Sequence, residues 1–250
     1  MPTTNSPFHP TTTASSEGST RMQNAAPPRP APKASRRQPV ASETFSQVQS
    51  LVQRLQSLLP TEGPRGQVVG VTSCVRQEGV SVVAANLALC AAESCPGKVL
   101  LIDANPRNPS VASRFGVKRI TGLMDCLSGK AAFHECFANS AQPNLSILPA
   151  GSESSRSSRQ RQERTATSFE TLRQGFGLIV LDLPPANEMD EMMLMSRQVD
   201  GVLLVVEAER IRRQVAQRVQ RRLEQANVRL LGVVLNKRPN HVPEWLYRRL

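Results

Sequence analysis

The sequence predicts a doubly wound α/β domain on a mostly parallel sheet, and three observations carry that expectation. Six short apolar runs recur along the chain: Gln67 to Val71, Val99 to Ile102, Leu145 to Leu148, Leu178 to Leu181, Val202 to Val206 and Leu230 to Leu235. Runs of Val, Ile and Leu without polar alternation belong to strands buried on both faces, as in a parallel sheet. Stretches with helical spacing separate them, including Ser81 to Ala92, Asp190 to Arg197 and Ile211 to Ala226. Finally, 250 residues of which 39% are apolar suffice for one domain plus a tail. Right-handed crossovers then place a ligand site at the C-terminal ends of the strands.

Residues 1–40 are dominated by Thr, Ser, Pro and Ala, include Arg36 and Arg37, and lack the apolar periodicity that offsets the entropy of ordering. They are expected to form a disordered arm before a domain spanning 41–250. That domain opens on an amphipathic helix of about 15 residues. Phe45, Val48, Leu51, Val52, Leu55, Leu58 and Leu59 form its apolar stripe, Ser42 or Thr44 caps it, and Pro60 stops it. The stripe is expected to pack on the domain's flank rather than to serve as a dedicated partner site. A Gly/Pro loop from Glu62 to Gly66 leads into the first strand.

Net charge and cysteine usage narrow the function. The formal charge is +11, from 31 Lys and Arg against 20 Asp and Glu, which points to an anionic partner. Cys74, Cys90, Cys95, Cys126 and Cys136 lack metal-ligand spacing, and His9, His134 and His241 lie far apart. Disulfide scaffolds and structural zinc sites are therefore disfavoured, and buried, inert thiols are expected. No apolar run approaches the ~20 residues that span a bilayer, and no secretory h-region follows Met1. A cytoplasmic protein is the expectation.

The first strand runs into Thr72-Ser73-Cys74-Val75-Arg76-Gln77-Glu78-Gly79-Val80-Ser81 and then an apolar helix. Free amides and the positive dipole end at such a turn favour an anion. In a phosphate loop of pattern G-x-x-x-x-G-K-[ST], glycines allow the turn, lysine meets the β/γ-phosphates and the hydroxyl ligates magnesium. Here Gly79 and Ser81 match, while Cys74 holds the first glycine's place and Val80 the lysine's. Taken alone, this pattern equally describes an ordinary strand-to-helix turn.

Seven segments in order specify more. They are VVGVTSCVRQEGVSVVAANLAL, KVLLIDANPRNPS, TGLMDCLSG, LSILPAG, LIVLDLPP, VDGVLLVVEAERIRR and LLGVVLNK. From about Glu43 to Lys237 the chain resembles the cytoplasmic kinase domain of bacterial tyrosine kinases of exopolysaccharide and capsule export, within the MinD/ParA group of P-loop ATPases. The resemblance implies ATP or ADP with Mg2+ as cofactor. It makes Gly79, Val80, Ser81 and Val82 the phosphate-cradling positions and Asn236 the contact to adenine. It makes Asp103 the acid that orients water or metal near the γ-phosphate, and Asp182 the acid that holds magnesium through water, with Ser81 as metal-ligating hydroxyl. Carboxylates directly after buried strands do sit at the open rim of a sheet, although capping of a neighbouring loop is the other role open to them.

The departures from the family pattern cluster where chemistry would occur. Arg76, Gln77 and Val80 stand where the family trend PGEGKS has Pro, Gly and Lys, Asn105 replaces the second acid of D-x-D, and Leu183 replaces the Thr of DTPP. Arg76 is either a substitute cation or a solvent-facing arginine, the second being preferred. The family's ring-building E-x-x-R-x-x-R appears as Glu43, Ser46 and Gln49, and the terminal tyrosine cluster is reduced to Tyr247. The resulting expectation is a pseudo-enzyme that regulates or assembles a transmembrane polysaccharide co-polymerase, peripheral to the inner face of the plasma membrane and with a weakened capacity for homo-oligomeric rings. Two alternatives stand beside it: an active kinase or ATPase with a non-standard cation, and a positioning protein that binds membrane or, less favoured, DNA.

Two basic segments and a methionine group complete the reading. Residues 152–168 are expected to be a solvated Arg/Ser-rich loop. Helix 211–226 puts Ile211, Val215, Val219 and Leu223 on one stripe and Arg212, Arg213, Arg218, Arg221 and Arg222 on its outer face, a surface suited to nucleic acid or anionic lipid. With 4% aromatics, the chain has few platforms for stacking bases. Met189, Met192, Met193 and Met195 are expected to pack in the core or an interface.

Overall fold

A computed structural model describes residues 42–59, 65–118, 121–152, 158–188 and 198–238. The arm at 1–40, the expected helix 190–197 with its methionines, and Tyr247 lie outside the described residues. In chain order the elements are α1 (Ser42–Leu58), β1 (Gln67–Ser73), α2 (Val80–Ser94), β2 (Val99–Asp103), α3 (Val111–Arg114), α4 (Leu123–Leu127), α5 (Phe133–Cys136), β3 (Ala138–Asn139), β4 (Leu145–Leu148), α6 (Ser158–Gly175), β5 (Leu178–Asp182), β6 (Gly201–Glu207), α7 (Arg213–Gln225) and β7 (Leu230–Asn236).

Seven strands form one sheet in the order β3-β4-β2-β5-β1-β6-β7. All neighbours are parallel except the short edge pair β3 and β4. Each of the six apolar runs is a parallel strand. Those at the centre are apolar throughout because both faces are covered: β2 and β5 are buried at every position. One face packs Leu100, Ile102 and Leu181 against α6, which contributes Phe169, and α7. The other packs Leu101, Val180 and Val205 against α1 and α2. Val52 and Leu55 of α1, with Leu59 just after it, are buried in that second layer, as the packing reading of the helix requires. The doubly wound expectation holds.

One segment differs from the expectation. Residues 158–168, read from sequence as part of a loop, form the first half of α6. Thr165, Phe169 and Leu172 repeat at helical spacing and are buried. They anchor the helix from its middle onward, while its Arg- and Gln-rich start consists largely of good helix formers. Four of the five cysteines are buried, as expected, and Cys95 is partly so. Burial, and then the charge of Glu78, push the Cys74 thiol up to about 11, which keeps it an inert core residue.

The sheet is pinned at the end opposite the loop that follows β1. Arg173 of α6 forms a two-pronged ion pair with Asp200, at 2.7 and 2.9 Å, and donates to the carbonyls of Gly66 and Gln198. Asp200 in turn accepts from the Val68 amide. Both side chains are mostly shielded from water, so removal of one leaves the other's charge unpaired. Arg173→Ala is expected to lower unfolding free energy by about 2–4 kcal/mol in urea titrations, and the paired change Arg173→Met with Asp200→Asn by clearly less.

Candidate functional site

β1 is the strand from which the site grows. It lies between β5 and β6 and delivers the chain into residues 74–79 before α2 begins at Val80. Gly79 caps α2 with φ 93°. A Cβ there would be strained and would lie 2.2 Å from the Asn236 amide nitrogen, so only glycine fits. Among the described residues, the amides of Gly79, Val80 and Ser81 donate to no backbone carbonyl, while those of Val82 and Val83 return to Gly79 O at 3.1 and 3.0 Å. Gly79, Val80 and Ser81 thus offer a cluster of free N–H groups at the positive end of a 15-residue helix, a setting for an anion. The Val82 amide is already committed, and its side chain is exposed.

The loop is held in shape by its own Glu78 and by Lys237, which the motif reading did not single out, together with Asn236, which it did. Glu78 is fully buried, and its carboxylate accepts from the Val75 amide at 2.7 Å and the Glu207 amide at 3.0 Å. The Asn236 amide donates to Glu78 O at 2.8 Å. Lys237 donates through Nζ to Gln77 O at 2.6 Å and pairs with Glu207 at 3.2 Å. The C-terminal ends of β6 and β7 therefore clasp the loop. Gln77, where the family keeps glycine, sits at φ 69°. That conformation disfavours a side chain by about 1–2 kcal/mol, and the bonds on both sides of Gln77 hold it there.

Asp103 and Asp182 end adjacent strands and are directly paired in register. Their environments differ. The Asp103 carboxylate accepts from the amides of Asn105, Ser110 and Val111 at 3.1, 2.9 and 3.0 Å, capping the turn into α3. Burial raises its pKa, and these three amides partly offset the rise. Asp182 is 1% exposed, and neither of its oxygens has a hydrogen-bond partner among the described residues. Burial pushes its pKa up to about 7, eased first by the nearby Ser81 hydroxyl, raised by Asp103, and eased again by Arg114 on α3. A buried carboxylate without donors calls for a proton or a cation. Among the described residues no group of three or more His, Cys, Asp or Glu could enclose a metal. Asp182 with Ser81 instead suits magnesium, which keeps its waters and takes one or two carboxylates plus phosphate oxygens.

Arg76 is exposed, as the preferred reading of the sequence has it, but it is not unpaired. Its guanidinium forms a two-pronged pair with Glu188, 2.9 Å for one arm, and this pair holds the Glu188 carboxyl below the usual range. Leu183, at the place of the family's threonine, is buried, and its amide donates to Val71 O. Val80, at the lysine's place, packs partly against the core cluster that holds α1 and α2. The structure thus brings Gly79, Val80, Ser81, Asp182 and Asn236 to one rim of the sheet, with Asp103 beside Asp182 but engaged by backbone.

The raised Asp182 pKa has a stability consequence. The folded state holds this proton to higher pH than the unfolded chain, so the group's contribution is full below the ordinary value of 3.8, declines as pH rises, and is lost above about 7. Asp182→Asn removes the titration. Relative to wild type, the variant is expected to gain roughly 1–3 kcal/mol between pH 5 and pH 8, measured by urea unfolding at both pH values without magnesium; an equal difference at the two would contradict the assignment.

No protein-family model matches the chain. The tyrosine-protein kinase CpsD of Streptococcus pneumoniae is 32% identical over 178 residues, covering 70% of this chain and 78% of that protein. The succinoglycan biosynthesis transport protein ExoP of Rhizobium meliloti is 31% identical over 180 residues, 70% of this chain but 23% of its own length. Among solved structures, the VpsO kinase domain superposes with a TM-score of 0.66 at 30% identity, covering 78% of this chain and 96% of that one. The septum site-determining protein MinD of Pyrococcus horikoshii, complexed with Mg-ADP, shares the fold at a TM-score of 0.59 and 20% identity, with 74% and 76% covered. The chain belongs to the bacterial tyrosine-kinase family of capsule and exopolysaccharide biosynthesis, on the P-loop ATPase fold.

Proposed function

We propose that this chain is a degenerate member of the family, a regulatory or assembly component of capsule or exopolysaccharide production with weak or absent ATP-dependent tyrosine-kinase activity. The observation that carries this reading is Val80 at the first position of α2, where its amide faces the anion site but its side chain supplies no charge. Phosphoryl transfer rests almost wholly on positioning and charge neutralisation. One cation in such a site is worth about 10³ to 10⁵ in rate, on the scale of arginine fingers. Arg76 is the nearest replacement in sequence, and its pairing with Glu188 opposes that use.

The remaining residues fit magnesium and an adenine nucleotide better than they fit catalysis. Ser81 and Asp182 would hold the ion, which would neutralise phosphate charge. The free amides of Gly79 to Ser81 would receive phosphate oxygens. Asn236 donates through its nitrogen to Glu78 O, which orients the amide oxygen as an acceptor for the amino group of adenine. Asp103 would act by shaping the turn into α3 beside that ion rather than by ligating it.

For partners, we infer a transmembrane polysaccharide co-polymerase at the inner face of the plasma membrane. ExoP, a succinoglycan biosynthesis transport protein, joins a region like this chain to a much longer polypeptide. In α1, Ser46 and Gln49 are exposed where the family motif carries arginines, which favours a weakened ring of copies. The domain division proposed is an arm at 1–40 before the nucleotide-binding fold.

Calorimetry with ATP and ADP in magnesium tests the reading directly: micromolar affinity together with tyrosine phosphorylation would overturn it. Val80→Lys is expected to strengthen nucleotide binding by about ten- to a hundredfold, the worth of one charge-assisted hydrogen bond. No gain would mean that the cradle has lost more than its lysine.

A further inference from the structure

The side of the domain around α7 combines two features that are unusual together. Between Ile211 and Arg229 lie six arginines, Arg212, Arg213, Arg218, Arg221, Arg222 and Arg229, against one acid, Glu224. All six are exposed. Among the described residues none has an ion-pair partner, and Glu224 is engaged by Gln220. Val219 and Leu223 hold the helix against β6. Arg213, Arg218, Arg221 and Arg222 therefore lie on the exposed surface of the helix, with Arg212 and Arg229 flanking its ends.

Beside this helix runs β7, the edge strand. Val233 pairs in register with Leu204, and Leu235 with Val206. Leu204 and Val206 belong to the cluster beneath α7. Because residues paired in register point to the same side of a sheet, Val233 and Leu235 lie on the face that α7 covers, yet beyond its cover: each is 58% exposed. The strand LLGVVLN carries neither charge nor proline to guard its edge.

We propose that the outer face of α7 with the adjoining edge of β7 is a docking surface for an anionic lipid bilayer. This deepens the reading of a protein that works at the membrane and rests on that reading only for its location. Uncompensated arginines beside exposed aliphatic side chains match a bilayer interface, where phosphate headgroups take the guanidinium groups and the acyl boundary takes the aliphatic ones. A nucleic-acid duplex would use the arginines but leave Val233 and Leu235 facing water. A second copy joined edge to edge would cover the valine and leucine but set two arginine arrays near each other, which like-charge repulsion opposes.

The test uses the full chain, without nucleotide or co-polymerase, in flotation assays. One set of vesicles contains phosphatidylcholine alone, the other phosphatidylcholine with phosphatidylglycerol, each at low and high salt. Binding is expected only to the anionic vesicles and is expected to weaken with salt. The triple variant Arg218→Glu, Arg221→Glu, Arg222→Glu should reduce partitioning by about a hundredfold or more, at roughly fivefold per arginine. Val233→Ser with Leu235→Ser should reduce it by about tenfold. Should that edge variant fail to fold by circular dichroism, the arginine variant, altered only at exposed positions, still decides. Absence of vesicle binding, equal binding to neutral vesicles, binding to random duplex DNA in place of vesicles, or a salt-insensitive dimer lost on Val233→Ser would each overturn the proposal. Because nucleotide and co-polymerase are absent, such a failure leaves the pseudo-enzyme reading untouched, just as detection of kinase activity would leave this surface untouched.

Discussion

The geometry of the site depends on the double burial of β1. A strand hydrogen-bonded to β5 and β6, with helices over both faces, has one place to end, and its last residue sets where the chain turns toward α2. The same constraint acts on β2 and β5, whose final residues are the paired Asp103 and Asp182. Apolar burial of order 25 cal/mol per Å² thus fixes a free helix end and two carboxylates at one rim without any direct bond among them.

What burial leaves undecided, the polar clasp supplies. The loop from Cys74 to Gly79 contains two residues with positive φ, Gln77 and Gly79, and its Val75 amide donates to a side chain rather than into a ladder. A segment of this kind stays ordered only when its surroundings over-determine it. Glu78 meets that need from within the core, because a buried carboxylate whose two oxygens receive backbone amides is both satisfied and immobile. Asp182, at the end of β5, presents the opposite case. One acid is spent on structure, and the other remains available for a cation.

This contrast marks the limit of what the sequence discloses. The strands were legible because burial on both faces forces apolar runs, and a carboxylate directly after such a run announces itself as a rim residue. The opening of α6 was not legible, since its first two turns carry no apolar stripe and the anchors Thr165, Phe169 and Leu172 come later. Glu78 resembles any loop glutamate until the fold brings the Glu207 amide, 129 positions away, against it. Arg76 likewise acquires its partner Glu188 from 112 positions along the chain. The position of Asp103 could be read from sequence, but its commitment to Asn105, Ser110 and Val111 depends on how the turn into α3 closes. Asn236 was legible through the family resemblance, whereas its bond to Glu78 O was not.

The persistence of a well-formed loop without its lysine follows from the same forces. A lysine in the first turn of α2 would put a positive charge at the positive end of the helix dipole, an arrangement that disfavours the helix by a few tenths to about 1 kcal/mol until an anion arrives. Val80 removes that repulsion and packs against the core instead. The clasp made by Glu78, Asn236 and Lys237 does not involve the side chain at position 80. Fold stability and reactivity are therefore separable at this one residue. On the proposed reading, the bonds that shape the loop are kept while the side chain at position 80 brings no charge to it.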